Sequence, residues 1–193
     1  MQLIDRVVQF RAEIQQIRRD IHAHPELRFE ENRTAGLVAA RLAEWGIPVA
    51  RGLGGTGVVG TIRHGSSRRS IGLRADMDAL PIQELNDFAH RSTHAGKMHA
   101  CGHDGHTAML LAAARYLAET RPFDGTVHLI CQPGEEGGAG AQRMIDDGLF
   151  ERFPCDAVFG MHNWPNLRVG QFGVAPGPAM ASANEFEIRI TGK

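Results

Sequence analysis

Apolar residues recur at steps of three and four near the start of the chain, the spacing of one face of an α-helix. They are Leu3, Val7, Phe10, Ile14, Ile17 and Ile21. The stripe predicts a helix that ends near His24, because Pro25 disfavours helical backbone in the residue before it. A second stripe predicts a helix from Asn32 to Trp45, which Gly46 terminates.

Strands and helices alternate along the rest of the chain. Apolar runs bounded by turn residues predict strands at 56–64, 69–76, 125–132, 156–162, 168–174 and 184–193. Helical spacing predicts a helix at 104–119, with Asp104 available to cap its amides, and a shorter one at 139–147. This alternation favours an α/β fold with a mixed, largely parallel sheet flanked by helices. The Pro/Gly/Ala-rich stretch 175–183 is the predicted boundary, between domains at 1–178 and 179–193.

Composition narrows the class of protein. The chain has 193 residues, 42% of them hydrophobic and 22% charged, with a formal net charge of −1, so a nucleic-acid-binding surface is not indicated. No apolar run approaches the ~18 residues of a membrane span, and no signal peptide is recognised. Three widely spaced cysteines form no disulfide framework. A cytoplasmic protein with free or metal-bound thiols is expected.

The segment MHACGHDGHT concentrates metal-binding residue types directly before the predicted helix at 104–119. Cys101 and His103 lie two residues apart in a glycine-containing loop, from which both can turn toward one divalent ion. The alternative is a buried cysteine beside a capping Asp104. His106 is a further candidate ligand, although a position on the helix surface or in the packing is the favoured explanation.

Two more segments carry paired carboxylates. Adjacent side chains such as Glu135 and Glu136 point in different directions, so one can bind a metal while the other acts as a general base. A solvated acidic turn is the simpler explanation of the pair. Asp76 and Asp78 flank Met77 at a strand end, where one of them could orient a ligand histidine or cap the strand.

His162 follows the predicted strand at 156–162 and is a packed or exposed histidine when considered alone. The polar segments MDALP, QPGEEG and MHNWP each follow a predicted strand. In an α/β sheet, ligands bind beyond the carboxyl ends of the strands. We therefore expect these candidate residues to meet at one edge of the sheet.

Taken together, the motifs RRDIHAHPEL, GLRADMDALPI, MHACGHDGHTAMLL, QPGEEGGAGA and GMHNWP give a specific resemblance. The chain resembles the metal-dependent amidohydrolases that include hippurate hydrolases, N-acyl-amino-acid deacylases and auxin-conjugate hydrolases, relatives of aminoacylases and carboxypeptidases. The motifs occur in the family's order over nearly the whole chain. The resemblance implies a zinc-peptidase-like catalytic domain that hydrolyses the amide bond of N-acyl amino acids.

The resemblance also implies residue roles. Cys101, His103, Glu136 and His162 would be metal ligands, and Glu135 the general base for a water activated by two metals. Asp76 and Asp78 would contact the ligand residues and orient them without binding the metals themselves. The cofactor would be two divalent ions of manganese, zinc, cobalt or nickel. The partner would be a small N-acyl amino acid, without nucleic acid or membrane, and the full-length enzyme would be a homodimer.

The chain also departs from the family. Members are about twice as long, with a lid domain whose first strand residues 184–193 resemble, and with a further histidine ligand near the carboxyl terminus. This suggests an amino-terminal half that is inactive or poorly active by itself. Two alternatives remain: a metal-binding fragment without catalysis, and a dipeptidase or carboxypeptidase relative. The Cys101–Gly102–His103 loop favours the acyl-amino-acid branch.

Overall fold

The computed structural model describes residues 4–178, 180–182, 184 and 186–192. Internal contacts separate a compact unit that ends at Asn163 from a second unit that begins at Trp164. The first unit contains one five-stranded sheet in the order β1-β2-β4-β3-β5. The strands are β1 (Val49–Leu53), β2 (Gly57–His64), β3 (Ser70–Asp76), β4 (Gly125–Gln132) and β5 (Ala157–Gly160). The β1–β2 and β2–β4 pairs are antiparallel, whereas β4–β3 and β3–β5 are parallel. The mixed α/β sheet predicted from the sequence is therefore confirmed.

Helices flank the sheet, and the three longest each bury an apolar stripe. They are α1 (Asp5–Gln9), α2 (Arg11–Ala23), α3 (Asn32–Glu44), α4 (His103–Thr120), α5 (Glu135–Gly138), α6 (Gly140–Asp146) and α7 (Leu149–Arg152). The main apolar core joins α2, α3 and α4 to the strands through residues such as Ile21, Val38 and Leu111. A smaller cluster joins α6 and α7 to β1, β2 and β4 through Met144 and Leu149. Burial of these side chains fixes the helices against the sheet.

The predicted helices correspond closely to the structure, with two corrections. The first stripe forms two helices rather than one, because Phe10 leaves helical geometry at φ −102° and ψ 13° while its side chain is buried. Leu3 lies outside the described residues. The predicted capping role of Asp104 is wrong: α4 begins after Gly102 without a side-chain cap, and Asp104 contacts other residues. The predicted ends near His24 and Gly46 are confirmed.

The strand predictions are confirmed for β2, β3 and β4, and β5 is shorter than expected. The predicted strand at 168–174 is wrong, and the described residues of 184–193 form no strand, while Glu185 and Lys193 lie outside the described residues. A strand needs a hydrogen-bonded neighbour, and no described strand pairs with either segment. The sequence pattern does not predict β1, because its residues Arg51 and Gly52 are exposed and weaken the apolar alternation.

The domain boundary at 178/179 stays a prediction; it falls in the second unit, where Ala179 and Ala183 of the proposed linker lie outside the described residues. Among the described residues, no helix has the length and apolar character needed to span a bilayer.

A buried ion network joins α2, α4 and the loop after β3. Nδ1 of His22 lies 3.0 Å from Asp104 Oδ2, and its Nε2 lies 3.1 Å from Glu84 Oε1. Arg18 also donates to Asp104, and the Ser92 amide donates to Glu84. Ionised carboxylates only accept hydrogen bonds, so both ring nitrogens of His22 carry protons in this arrangement. The hydrogen bond to Asp104 raises the pKa of His22 above its ordinary 6.5, against the effect of burial.

We predict that His22→Gln destabilises the protein most between about pH 4.5 and 6.5. The raised pKa of His22 contributes stability that is complete below 6.5 and is lost as pH rises through the folded-state pKa. The pKa values of Asp104 and Glu84 are lowered from 3.8 and 4.5, so their contribution is complete above those values and is lost in acid. The expected loss is about 2 kcal/mol within that window. Urea unfolding across pH measures it, with exposed His64→Gln as control; a pH-independent difference would contradict the charged network.

Candidate metal centre

The carboxyl ends of three parallel strands bring the candidate residues to one edge of the sheet. β3 ends at Asp76, β4 ends at Gln132 and β5 ends at Gly160, and α4 begins at the same edge with His103. Three groups of residues meet there, and within each group the possible ligand atoms all lie within 4.8 Å of one another. The groups are Cys101–His103–His162, Asp76–His103–His106 and His103–Glu135–Glu136. His103 belongs to all three, which makes it the centre of the cluster.

His103 is completely buried and lies between carboxylates on both sides of its ring. Asp78 Oδ1 lies 3.3 Å from its Nδ1. Burial lowers the pKa of His103, but the Asp78 carboxylate and the nearby Asp76 charge outweigh it and raise the pKa. A proton on Nδ1 faces Asp78, so Nε2 is the ring atom available to bind a metal. Nε2 faces oxygens of Asp76, Glu135 and Glu136 at 3.6, 3.8 and 3.9 Å. This side of the ring is therefore an electron-rich pocket.

Cys101 and His162 form the second part of the cluster. The Sγ atom of Cys101 lies 3.4 Å from Nε2 of His162. Nδ1 of His162 donates to the backbone carbonyl of Asn163 at 2.5 Å, which directs the lone pair of Nε2 toward the thiol. Burial, followed by the nearby Glu136 carboxylate, raises the pKa of Cys101 to about 12. The thiol thus stays protonated unless a cation stabilises the thiolate.

Asp76 is held as an ionised group beside His103. Its Oδ1 accepts a 2.6 Å hydrogen bond from Nδ1 of His106, and its Oδ2 accepts one from Arg74 at 2.8 Å. Burial alone would raise the pKa of Asp76, but His106, Arg74 and His103 outweigh it and hold the pKa at about 2. His106 is buried and also contacts Asn163. The structure therefore favours a packed, hydrogen-bonded His106 over a surface position.

The helix start at Gly102 brings the two loops into contact. Gly102 has a φ of 90°, a conformation that L side chains rarely adopt, and a Cβ there would collide with the side chain of Asn163. Glycine thus allows the Cys101–His103 loop to approach the segment that carries His162. Close approach of the two loops is a condition for Cys101 and His162 to share one ion.

Glu135 and Glu136 occupy different environments although they are adjacent. The side chain of Glu136 is 24% exposed, and its Oε1 is buried without a hydrogen-bond partner among the described residues. The side chain of Glu135 is 42% exposed. Burial raises the pKa of Glu135, with His103 opposing the shift and Glu136 adding to it. A carboxylate with a raised pKa accepts a proton more readily.

The donor set fits a divalent metal. Two donors at tetrahedral angles and about 2.1 Å from one ion are separated by about 3.4 Å, close to the spacings around His103 Nε2 and between Cys101 and His162. Nε2 of His103 is likewise buried without a hydrogen-bond partner among the described residues. Carboxylate, thiolate and imidazole atoms that are buried close together have unfavourable electrostatics, which a bound cation relieves. Imidazole, thiolate and carboxylate together suit borderline metals such as zinc and manganese.

The motifs do not indicate Arg74 or Asn163 as supports of this cluster, nor the second contact that Asp78 makes. Arg74 donates to both Asp76 and Gln132, although nothing in the motif distinguishes it from other strand residues. Asn163 follows His162 in the motif GMHNWP, but the sequence alone indicates no role for it. Asp78 also accepts the backbone N–H of Glu136 at 2.8 Å, so it links two of the candidate ligands. These roles depend on contacts between distant segments, which sequence spacing does not reveal.

An α/β sheet with imidazole, thiolate and carboxylate donors at its carboxyl edge defines a candidate metal-binding catalytic domain. The model of peptidase family M20/M25/M40 matches residues 72–192, and the chain belongs to this family. The resemblance to amidohydrolases inferred from the motifs is thereby confirmed.

Named relatives refine the comparison. The chain is 48% identical to a hippurate hydrolase of Campylobacter jejuni over 193 residues, covering all of this chain and 50% of that protein. It is 45% identical to the IAA-amino acid hydrolase ILR1-like 4 of Arabidopsis thaliana, covering 92% of this chain and 40% of that protein. The chain thus spans about half the length of the curated relatives it matches.

A solved structure supports the fold. The YXEP protein of Bacillus subtilis, described as a dinuclear metal-binding peptidase of the M20 family, matches with a TM-score of 0.84 and 41% identity. The match covers 89% of this chain and 48% of that chain.

We predict that His103→Ala lowers metal affinity at least ~10-fold, because His103 belongs to all three donor groups. Metal content after loading with manganese or zinc, followed by desalting, measures the effect. The rise in Tm on metal addition should shrink in parallel. Exposed His94→Ala is the control. Wild-type metal content in His103→Ala would contradict the proposed centre.

Proposed function

We propose that this chain forms a centre for two divalent metals and takes part in hydrolysis of the amide bond of N-acyl amino acids. The observation that carries the proposal is the cluster around His103, where carboxylates, a thiol and a second imidazole face one buried ring. The hippurate and IAA-amino acid hydrolases among the relatives support this substrate class, since their names describe N-acyl amino acids. The description of the YXEP protein supports two metals rather than one.

The proposed ligands are Cys101, His103, Glu136 and His162. Each presents an atom to the shared space: the thiol sulfur, the two Nε2 atoms and the buried Oε1. Asp78 is proposed to orient His103, because its Oδ1 lies 3.3 Å from Nδ1. Asp76 differs in that its Oδ2 lies on the Nε2 side of His103, among the candidate ligands. A divalent metal would supply Lewis acidity that polarises a carbonyl and makes water nucleophilic near neutral pH.

Glu135 is the proposed general base. Its exposed carboxylate can reach a water at the edge of the pocket, and its raised pKa favours proton uptake. The attacking water gives one proton to the Glu135 carboxylate as its oxygen bonds to the acyl carbon. Glu135 then returns this proton to the amide nitrogen as the carbon–nitrogen bond breaks. The products are a carboxylic acid and a free amino acid.

Peptide cleavage is the second candidate, because the family description names peptidases. The same base and metal chemistry cleaves a peptide bond, so the distinction lies in the substrate. Kinetic comparison of an N-acyl amino acid with a dipeptide of the same carboxyl-terminal residue separates the two. Metal binding without turnover of either substrate would favour a non-catalytic metal-binding protein.

We predict that Glu135→Gln in the full-length enzyme lowers kcat at least ~10²-fold with unchanged metal content. The substitution removes the proton acceptor and keeps the size of the side chain. Glu136→Ala should instead lower metal occupancy, because it deletes the buried donor Oε1. Steady-state kinetics on hippurate and metal analysis of both variants measure these effects. Equal metal loss in the two variants would contradict the division of roles between these neighbours.

A further inference from the structure

We infer that Glu31 is a positioning residue which, together with Phe29, fixes the turn that carries Glu135 and Glu136. Its catalytic consequence rests on the proposed function, whereas its structural part stands on contacts within the compact unit. The turn follows β4 and includes Gly134, with φ 55°, and Gly137, with φ 67°. Glycines in this conformation leave a backbone free to take other shapes. The carboxylates need restraint from outside the turn.

Glu31 supplies the first restraint. Its side chain is completely buried at the start of α3. Oε1 accepts the backbone N–H of Gly134 at 2.8 Å, and Oε2 accepts the hydroxyl of Thr56 at 2.5 Å. A buried carboxylate is costly unless such hydrogen bonds are made. The two oxygens thus tie the residue before Glu135 to the loop between β1 and β2.

Phe29 supplies the second restraint. Its backbone has a φ of 64°, unusual for a non-glycine residue, and this conformation directs the ring against the turn. A Cβ added to Gly134 would lie 2.5 Å from Cζ of the ring, and one added to Gly138 would lie 2.7 Å from Cε2. The guanidinium carbon of Arg143 lies 3.7 Å from the ring centroid on the side of α6. The ring is therefore in direct contact with Gly134 and Gly138.

Backbone contacts of Glu136 complete the arrangement. Its N–H donates to Asp78, and its carbonyl accepts from Arg28 at 3.1 Å. Arg28, Phe29 and Glu31 all belong to one short segment before α3. Because that segment contacts residues on both sides of Glu135, it determines where the carboxylate of the base lies relative to His103. Small displacements of a catalytic group reduce turnover much more than binding.

The experiment compares Glu31→Asp with Glu31→Gln in the full-length enzyme. Aspartate keeps the charge but is one methylene shorter, so it cannot reach Gly134 and Thr56 together. Glutamine keeps the length: its carbonyl can accept from Gly134 and its amide can donate to the Thr56 hydroxyl. Glu30→Asp, at an exposed neighbouring residue paired with Lys97, is the matched control.

Hydrogen–deuterium exchange of the peptide 133–140 is the primary readout, because it requires neither metal nor turnover. We expect Glu31→Asp to exchange at least ~10-fold faster there, with kcat lowered ~10-fold and KM within ~2-fold of wild type. Glu31→Gln and Glu30→Asp should resemble wild type. Wild-type exchange in Glu31→Asp, or equal effects of Asp and Gln, would overturn the inference.

Two additions keep the test decisive. Phe29→Leu removes the ring contact without altering a buried charge, and we expect it also to accelerate exchange of 133–140. This variant takes the place of Glu31→Asp if Glu31→Asp does not fold. Unchanged exchange in Phe29→Leu would then overturn the inference. Absence of hydrolysis by the wild-type protein would contradict the proposed function alone, since the exchange measurement would still decide whether Glu31 restrains the turn.

Discussion

The concentration of negative and electron-donating groups around one buried imidazole is the constraint on which this structure depends. Nε2 of His103 faces three carboxylate oxygens at 3.6 to 3.9 Å, and the ring has no exposed surface. Carboxylates so close together repel, and burial strengthens that repulsion. A cation stabilises the arrangement, which is why the cluster is a candidate metal centre.

The fold keeps these groups together by distributing them over separate elements. β3 supplies Asp76, the start of α4 supplies His103, and the turn after β4 supplies Glu136. Each is then fixed by a neighbour that is not itself a proposed ligand. Asp78, for example, accepts from the Glu136 backbone and faces Nδ1 of His103. Movement of one ligand is therefore coupled to the position of another.

Much of this architecture could be predicted because it rests on local patterns. The helices at Asn32 and His103 follow from apolar stripes, and β4 follows from a continuous apolar run bounded by glycine. What failed depends on partners elsewhere in the chain. Residues 168–174 have strand-like alternation but no hydrogen-bonded neighbour among the described strands, and β1 pairs with β2 despite a weak pattern. Strand formation is decided by pairing, which local sequence does not show.

The candidate site shows the same limit at the level of single residues. The resemblance assigns different roles to Glu135 and Glu136, yet the residue types of two identical neighbours do not explain why their environments differ. The difference in side-chain exposure follows from the backbone of the turn, where Glu136 has a ψ of 81° and leaves helical geometry. That geometry directs the Glu136 oxygen into the buried side and leaves Glu135 more exposed. Because Glu31 and Phe29 contact the glycines of this turn, the different environments of the two carboxylates depend on a segment about a hundred residues earlier in the chain.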